Sequence, residues 1–255
     1  VDLLAEPNIN VTVFAPTNEA FNKLLGDKPL PETCSEDLKA ILLYHIAIGK
    51  LNSEAFGNTK GFQTYLFPYS PDVEQVFVKS EDSGVRINQS STVTSANIEA
   101  SNGIVHIIDT VLVPDQIGTI VEALGKREQF NTLVKAAVAS NLATTLAVAP
   151  DLTVFAPVNE AFKAVGTPAP DVLTKVLLHH VLGTRVFSSQ LKAGYQQAPT
   201  LNSDSLTIFG DSSGFSIFGS GQSPTNAGRI TATDVRTKNG IIHTISKVLI
   251  PANVN

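Results

Sequence analysis

Apolar runs of period two and stretches with an apolar residue every three or four positions succeed one another along the chain, and the whole succession occurs twice. The run Val11-Thr-Val-Phe-Ala-Pro16 reads as a short buried strand that ends in a proline turn. A helix is predicted from Asn18 to about Leu25, where Gly26-Asp27, Pro29 and Pro31 stop it. Asn18 and its counterpart Asn159 are the expected caps for free N–H groups at that helix start, since Val158 stands where the first copy has Thr17. A second helix is predicted over Asp37–Ile46, with Leu38, Ile41, Leu42 and His45 on one face. Strand patterns follow at Phe62–Phe67, Gln75–Lys79 and Val85–Asn88. The second copy repeats this order with a helix over Asp171–Val181 and strands at Leu206–Phe209 and Phe215–Phe218. Both copies close on an Asn-Gly turn and an apolar run expected to be a well-buried strand, Asn102 to Pro114 and Asn239 to Pro251.

A repeat of this size in 255 residues divides the chain into two domains, 1–116 and 117–255, each of mixed α and β structure. Thr12 has 11 residues before it, whereas the second domain has 36 before Thr153. Val1–Ala5 align with Ala143–Ala147, the end of a helical region, so the first domain is expected to begin inside a helix, its earlier part missing.

Three elements, in the same order in both copies, resemble the fasciclin-like (FAS1) family: Thr-Val-Phe-Ala-Pro-Thr-Asn-Glu-Ala-Phe, the Tyr44-His45 pair on the middle helix, and Asn-Gly-x-x-His-x-x-x-x-Val-Leu-x-Pro. The resemblance covers nearly the whole chain. It implies an α+β fold in which each domain is a wedge-like β-sandwich of about seven strands packed against several helices. It also implies a non-catalytic protein of adhesion and matrix interactions, secreted or anchored at the cell surface, or in the periplasm or on the outer surface in a prokaryote. The implied partners are an extracellular protein or glycan, or a second copy, with the membrane reached only through an anchor outside this chain. In some animal members the Tyr-His pair and adjoining apolar residues are implicated in integrin binding, which carries over to Tyr44 and His45. The second copy departs from that pattern with His179-His180.

Composition narrows the chemistry. Hydrophobic residues make up 43% and charged residues 16%, and no apolar run is long enough to cross a bilayer. Residues 1–116 carry 7 basic and 15 acidic side chains (7 − 15 = −8), residues 117–255 carry 11 and 8 (11 − 8 = +3), and neither shows the basic stripe of a nucleic-acid protein. The asymmetry reads as ordinary surface variation or as complementary contact. Cys34 is the only cysteine, which excludes an intramolecular disulfide, and without a basic neighbour it reads as a structural thiol.

Four of the five histidines repeat, His45 with His180 and His106 with His243. His106 and His243 stand among Ile and Val in the closing strands, where a neutral, hydrogen-bonded imidazole serves the fold rather than a metal. Neither an activated nucleophile nor a phosphate loop is present in the sequence, and no cofactor or enzymatic activity is expected. Phe62, Tyr65, Phe67 and Tyr69 form an aromatic stretch specific to the first copy, a core edge or a site for a partner or a small apolar ligand such as a pigment or lipid. Asn10 and Asn88 each open a glycosylation sequon.

Overall fold

The structure, a computed structural model, describes residues 4, 6–26, 35–58, 60–66, 74–166, 170–252 and 254. Cys34, Phe67 and Tyr69 lie outside the described residues. The chain divides into two units, Val1–Ile117 and Gly118–Asn255.

In the first unit, β1 (Val11–Pro16) leads to α1 (Asn18–Leu25) and α2 (Ser35–Tyr44). The strands β2 (Ile46–Ile48), β3 (Lys60–Gln63), β4 (Gln75–Glu81), β5 (Gly84–Ile87), β6 (Ser91–Ala100) and β7 (Gly103–Ile108) complete it. The strand order is β2-β1-β7-β6-β5-β4-β3, with β1 and β7 parallel. The sheet curls until its two edges meet, through the bridge Ala47–Thr64 and a 2.9 Å bond from Tyr65 N to Ile46 O. That switch of partner explains why β3 ends at Gln63 instead of running on to Phe67: at Thr64 the chain turns from β4 toward β2. Phe14, Phe56, Leu66, Val76, Val78 and Ile108 fill the space enclosed.

The second unit opens with three helices, α3 (Ile120–Gly125), α4 (Asn131–Ala139) and α5 (Leu142–Val148). Then come β8 (Leu152–Pro157), α6 (Asn159–Lys163), α7 (Pro170–His179) and β9 (Val181–Leu182). It ends with β10 (Gly194–Pro199), β11 (Ser205–Asp211), β12 (Gly214–Gly219), β13 (Gly228–Thr237) and β14 (Gly240–Ile245). The order β10-β11-β12-β13-β14-β8-β9 repeats that of the first sheet. Leu201 N bonds Val181 O at 2.8 Å, joining its edges. Each unit is thus the α+β, seven-stranded assembly that the family resemblance implied.

The parallel pair at the centre of each sheet differs between the units. Every residue of β8 and β14 is buried, because Ile120, Leu124, Leu133 and Leu146 of α3 to α5 cover the face turned away from the strand-enclosed core. In β7 only Gly103, His106 and Ile108 are buried, so the well-buried strand expected there is half-buried. Among the described residues the first unit has no counterpart of the three covering helices. Leu42 of α2 is therefore 48% exposed, while Leu177, its equivalent on α7, is 3% exposed.

Candidate functional site

The shared polar side chains form two internal networks that recur in each unit. The first starts at the end of the middle helix. His45 Nε2 accepts the N–H of Leu112 at 2.9 Å, which leaves the proton on Nδ1, and Nδ1 donates to Ile41 O at 2.7 Å. His180 makes the same pair of bonds, from Leu249 N at 2.8 Å and to Val176 O at 2.7 Å. Both rings are buried. Burial holds each imidazole pKa down at about 4 against an ordinary value of 6.5, so both are neutral at physiological pH.

The second network lies across the sheet. Asn97 and Asp234 sit at bulges in β6 and β13 in left-handed backbone (φ 58° and 63°). Their N–H groups donate to Nδ1 of His106 and His243, at 3.3 Å each. Nε2 of these rings donates in turn to Leu51 O and Val186 O, both at 2.8 Å. The same segments are held by Thr12, whose hydroxyl donates to Gly49 O and accepts from Leu51 N, and by Thr153 acting alike on Thr184 O and Val186 N. The Asn97 side chain completes the first latch on Ser53, and Asp234 the second on Ser188. Phe14 and Phe155 stack on the two rings, with centroids 5.7 and 5.4 Å away. With both nitrogens committed, these four imidazoles have no lone pair free for a metal or a substrate.

Burial corrects the surface role that the resemblance gave to the Tyr-His pair. Tyr44 is 0% exposed; its hydroxyl donates to Gln75 O at 2.7 Å and accepts from Asn88 Nδ2 at 3.1 Å. His45, His179 and His180 are buried as well, so the side chains of this group lie inside their units. The period-3.6 pattern places His45 on the edge of an apolar face; Tyr44, beside it in sequence, belongs to the same core cluster as Phe14, Val76 and Val78. His179 occupies the position of Tyr44 but lacks the reach of a phenol. Its Nδ1 lies 3.4 Å from Thr200 Oγ1, and its Nε2 is buried without a hydrogen-bond partner.

The caps are also reassigned. Thr17 accepts the N–H of Ala20 and is the cap of α1, with Asn18 the first helical residue. Asn159 serves a different helix: its Oδ1 accepts Thr132 N at 2.9 Å in the first turn of α4, and its Nδ2 donates to Glu128 O at 2.7 Å. The Asn-Gly asparagines do more than turn the chain. Asn239 donates to Leu146 O and Ala149 O and accepts from Ile120 N, tying α3 and α5 to the sheet, and Asn102 donates to Leu4 O and Glu6 O.

Of the aromatic stretch, Phe62 packs on Phe56 edge to face at 5.9 Å and is half-buried, as is Tyr65, so neither stands out as an exposed group. The amide of Asn88 is enclosed between Phe77 N and Tyr44, which closes that sequon in the folded unit, whereas Asn10 is exposed. Two hollows lie among the described residues. The gap among α3, α4, α5 and α7 holds about 30 Å³, and a hollow of about 260 Å³ beside α2 is lined by Asp37, Lys39 and Gln116 together with Ala40, Leu43, Leu66 and Ile117. Ligands of pigment size occupy pockets of about 300–1,000 Å³.

Among the described residues, a large exposed aromatic group lies elsewhere. Tyr195 of β10 is 68% exposed and meets the ring of Phe209 on β11 at 4.6 Å. Neither residue is marked as a binding group by the sequence, although the alternation in Gly-Tyr-Gln-Gln-Ala-Pro places Tyr195 opposite the core-facing positions of an edge strand.

Two curled seven-stranded sheets with this internal histidine scaffold define a tandem of α+β modules whose shared residues hold the fold. The chain belongs to the fasciclin domain family, which matches residues 1–114 and 128–251. It is 29% identical over 262 residues to transforming growth factor-beta-induced protein ig-h3 of Sus scrofa, covering 98% of this chain and 35% of that protein. With periostin of Homo sapiens it shares 28% over 250 residues, covering 94% of this chain and 28% of that one. The chain thus spans about a third of the length of these relatives. The FAS1 domain pair of the insect cell adhesion molecule fasciclin I has the same fold, with a TM-score of 0.59 at 22% identity, over 98% of this chain and 90% of that one.

Proposed function

We propose that this chain is an extracellular, non-catalytic adhesion or matrix-interaction module that meets its partners through outward faces of its two units. The observation that carries this reading is the commitment of the repeated polar side chains: His45, His106, His180 and His243 each have both ring nitrogens hydrogen-bonded inside a unit. Groups that catalysis would need are thus used by the fold, while the exposed faces differ between the copies and are free to differ in what they meet. The match to an insect cell adhesion molecule supports the same reading. The test is adhesion of cells, and binding of matrix proteins and polysaccharides, to the immobilised chain. Saturable binding above that of an acid-unfolded sample is expected, and binding no stronger than that sample would overturn the reading.

A further inference from the structure

We infer that the outer face of β10 to β13 in the second unit binds a neutral polysaccharide chain, with the Tyr195–Phe209 pair as its stacking platform. The inference rests on the adhesion reading and gives one of its faces a ligand class.

The strand register builds the platform. Tyr195 pairs with Phe209, Phe209 with Ser216 and Ser216 with Arg229, so these four residues form one row across four strands and share a face. At strand spacings of about 4.8 Å the row spans roughly 14 Å. Gln197 and Thr207 form the neighbouring pair on that face, and Asp211 follows Phe209 two residues on. The opposite face of β11 carries Leu206 and Ile208 into the core, which anchors the strand beneath the two rings, whose planes are inclined by 39°.

Three properties select the ligand. An exposed ring in contact with a second ring presents a broad surface, and the electron-rich ring face attracts the polarised C–H groups of a pyranose. The flanking groups are hydrogen-bonding side chains of both polarities: the amide of Gln197, the hydroxyls of Thr207 and Ser216, the guanidinium of Arg229 and the carboxylate of Asp211. The two charges offset each other, and Arg229 helps to hold the carboxyl of Asp211 below its ordinary pKa, behind the stronger effect of the Ser213 hydroxyl. A surface with a balanced charge pair complements an uncharged polyhydroxylated partner better than an acidic or a basic one. The first unit lacks this platform, since Gly61 pairs with Phe77 where Gln197 pairs with Thr207, and Lys79 stands in the place of Phe209.

The test is a titration of the isotopically labelled whole chain with cellohexaose, alongside an oligogalacturonate of equal length, followed by amide shifts. Saturable shifts confined to β10 to β13 with cellohexaose, unaltered by salt, are expected. Tyr195→Ala should weaken them about tenfold while leaving thermal unfolding unchanged, since the side chain is exposed. Absence of saturable shifts, equal binding by Tyr195→Ala, or a salt-dependent preference for the galacturonate would each overturn the inference. Adhesion that persists in Tyr195→Ala without any saccharide titration defeats this inference and leaves the adhesion reading standing, whereas a chain that adheres to nothing defeats the adhesion reading whatever the titration shows.

Discussion

The Nε2 atom of His180 accepts the backbone N–H of Leu249, so the end of the middle helix and the segment after the last strand are joined by a bond that exists only while the ring is neutral. His45 and Leu112 make the same connection in the first unit. Protonation would set a ring N–H against a backbone N–H in a buried site. Because burial lowers both pKa values from 6.5 to about 4, the unfolded chain takes up these protons first as the pH falls. Stability is complete above about pH 6.5 and declines from there to about pH 4, by about 3 kcal/mol for each ring. Urea midpoints measured across this range check the slope, which should flatten for His180→Leu at the cost of a lower midpoint at pH 7. A midpoint independent of pH between 6.5 and 4 would contradict the assignment.

Gly240 lies where β14 passes β8. A Cβ there would stand 2.3 Å from Leu152 O and 2.6 Å from Ile120 Cδ1, and a main-chain oxygen cannot move aside. Gly240→Ala is expected to destabilise the second unit by about 2–3 kcal/mol. Gly103→Ala meets Val11 O at 2.3 Å and should act similarly on the first unit. Calorimetry should show one transition shifting down in each variant.

Asn239 is buried and makes three bonds to the helical layer, whereas Asn102 makes two to an exposed stretch. Asn239→Ala should therefore cost about 3 kcal/mol, since it leaves two carbonyls and one N–H unpaired, and Asn102→Ala should cost less than about 1 kcal/mol. Amide exchange in α3 should accelerate in the first variant and stay unchanged in the second.

Leu42 and Leu177 are equivalent in the repeat and opposite in environment. A lysine at position 177 would put an unpaired charge into the layer between α7 and the covering helices, and Leu177→Lys is expected to unfold the second unit at room temperature. Leu42→Lys should change stability by less than about 0.5 kcal/mol. Circular dichroism of the two variants decides, and equal losses would show that the two faces are equally covered.

Much of the fold was legible because both copies say the same thing: two apolar strands, a proline turn and a helix start fix the order of elements even where one copy is ambiguous. Burial was less legible. The apolar runs of β7 and β14 are nearly identical, yet one is half-buried and the other enclosed, since burial depends on α3 to α5 and not on the strand itself. The Tyr-His pair shows the same limit at the level of a site. Helical spacing places His45 on the edge of an apolar face with Tyr44 next to it in sequence, but whether such a pair faces water is decided by strands far away in sequence, among them β4, whose Gln75 carbonyl accepts the tyrosine hydroxyl. Tyr195 escaped notice for the opposite reason, because a lone tyrosine in a short strand carries no signal until the register brings Phe209 beside it.

The joined sheet edges at Ala47–Thr64 and Leu201–Val181 bear on how such modules can be strung together. Adjacent domains of similar sequence are prone to trade strands while folding, since each offers its neighbour a template almost as good as its own. A sheet whose first and last strands hold one another has few unpaired backbone groups left to offer, and a finished unit becomes a poor template for the next. Curling the sheet shut thus lets nearly the same sequence be used twice in one polypeptide without the copies capturing each other.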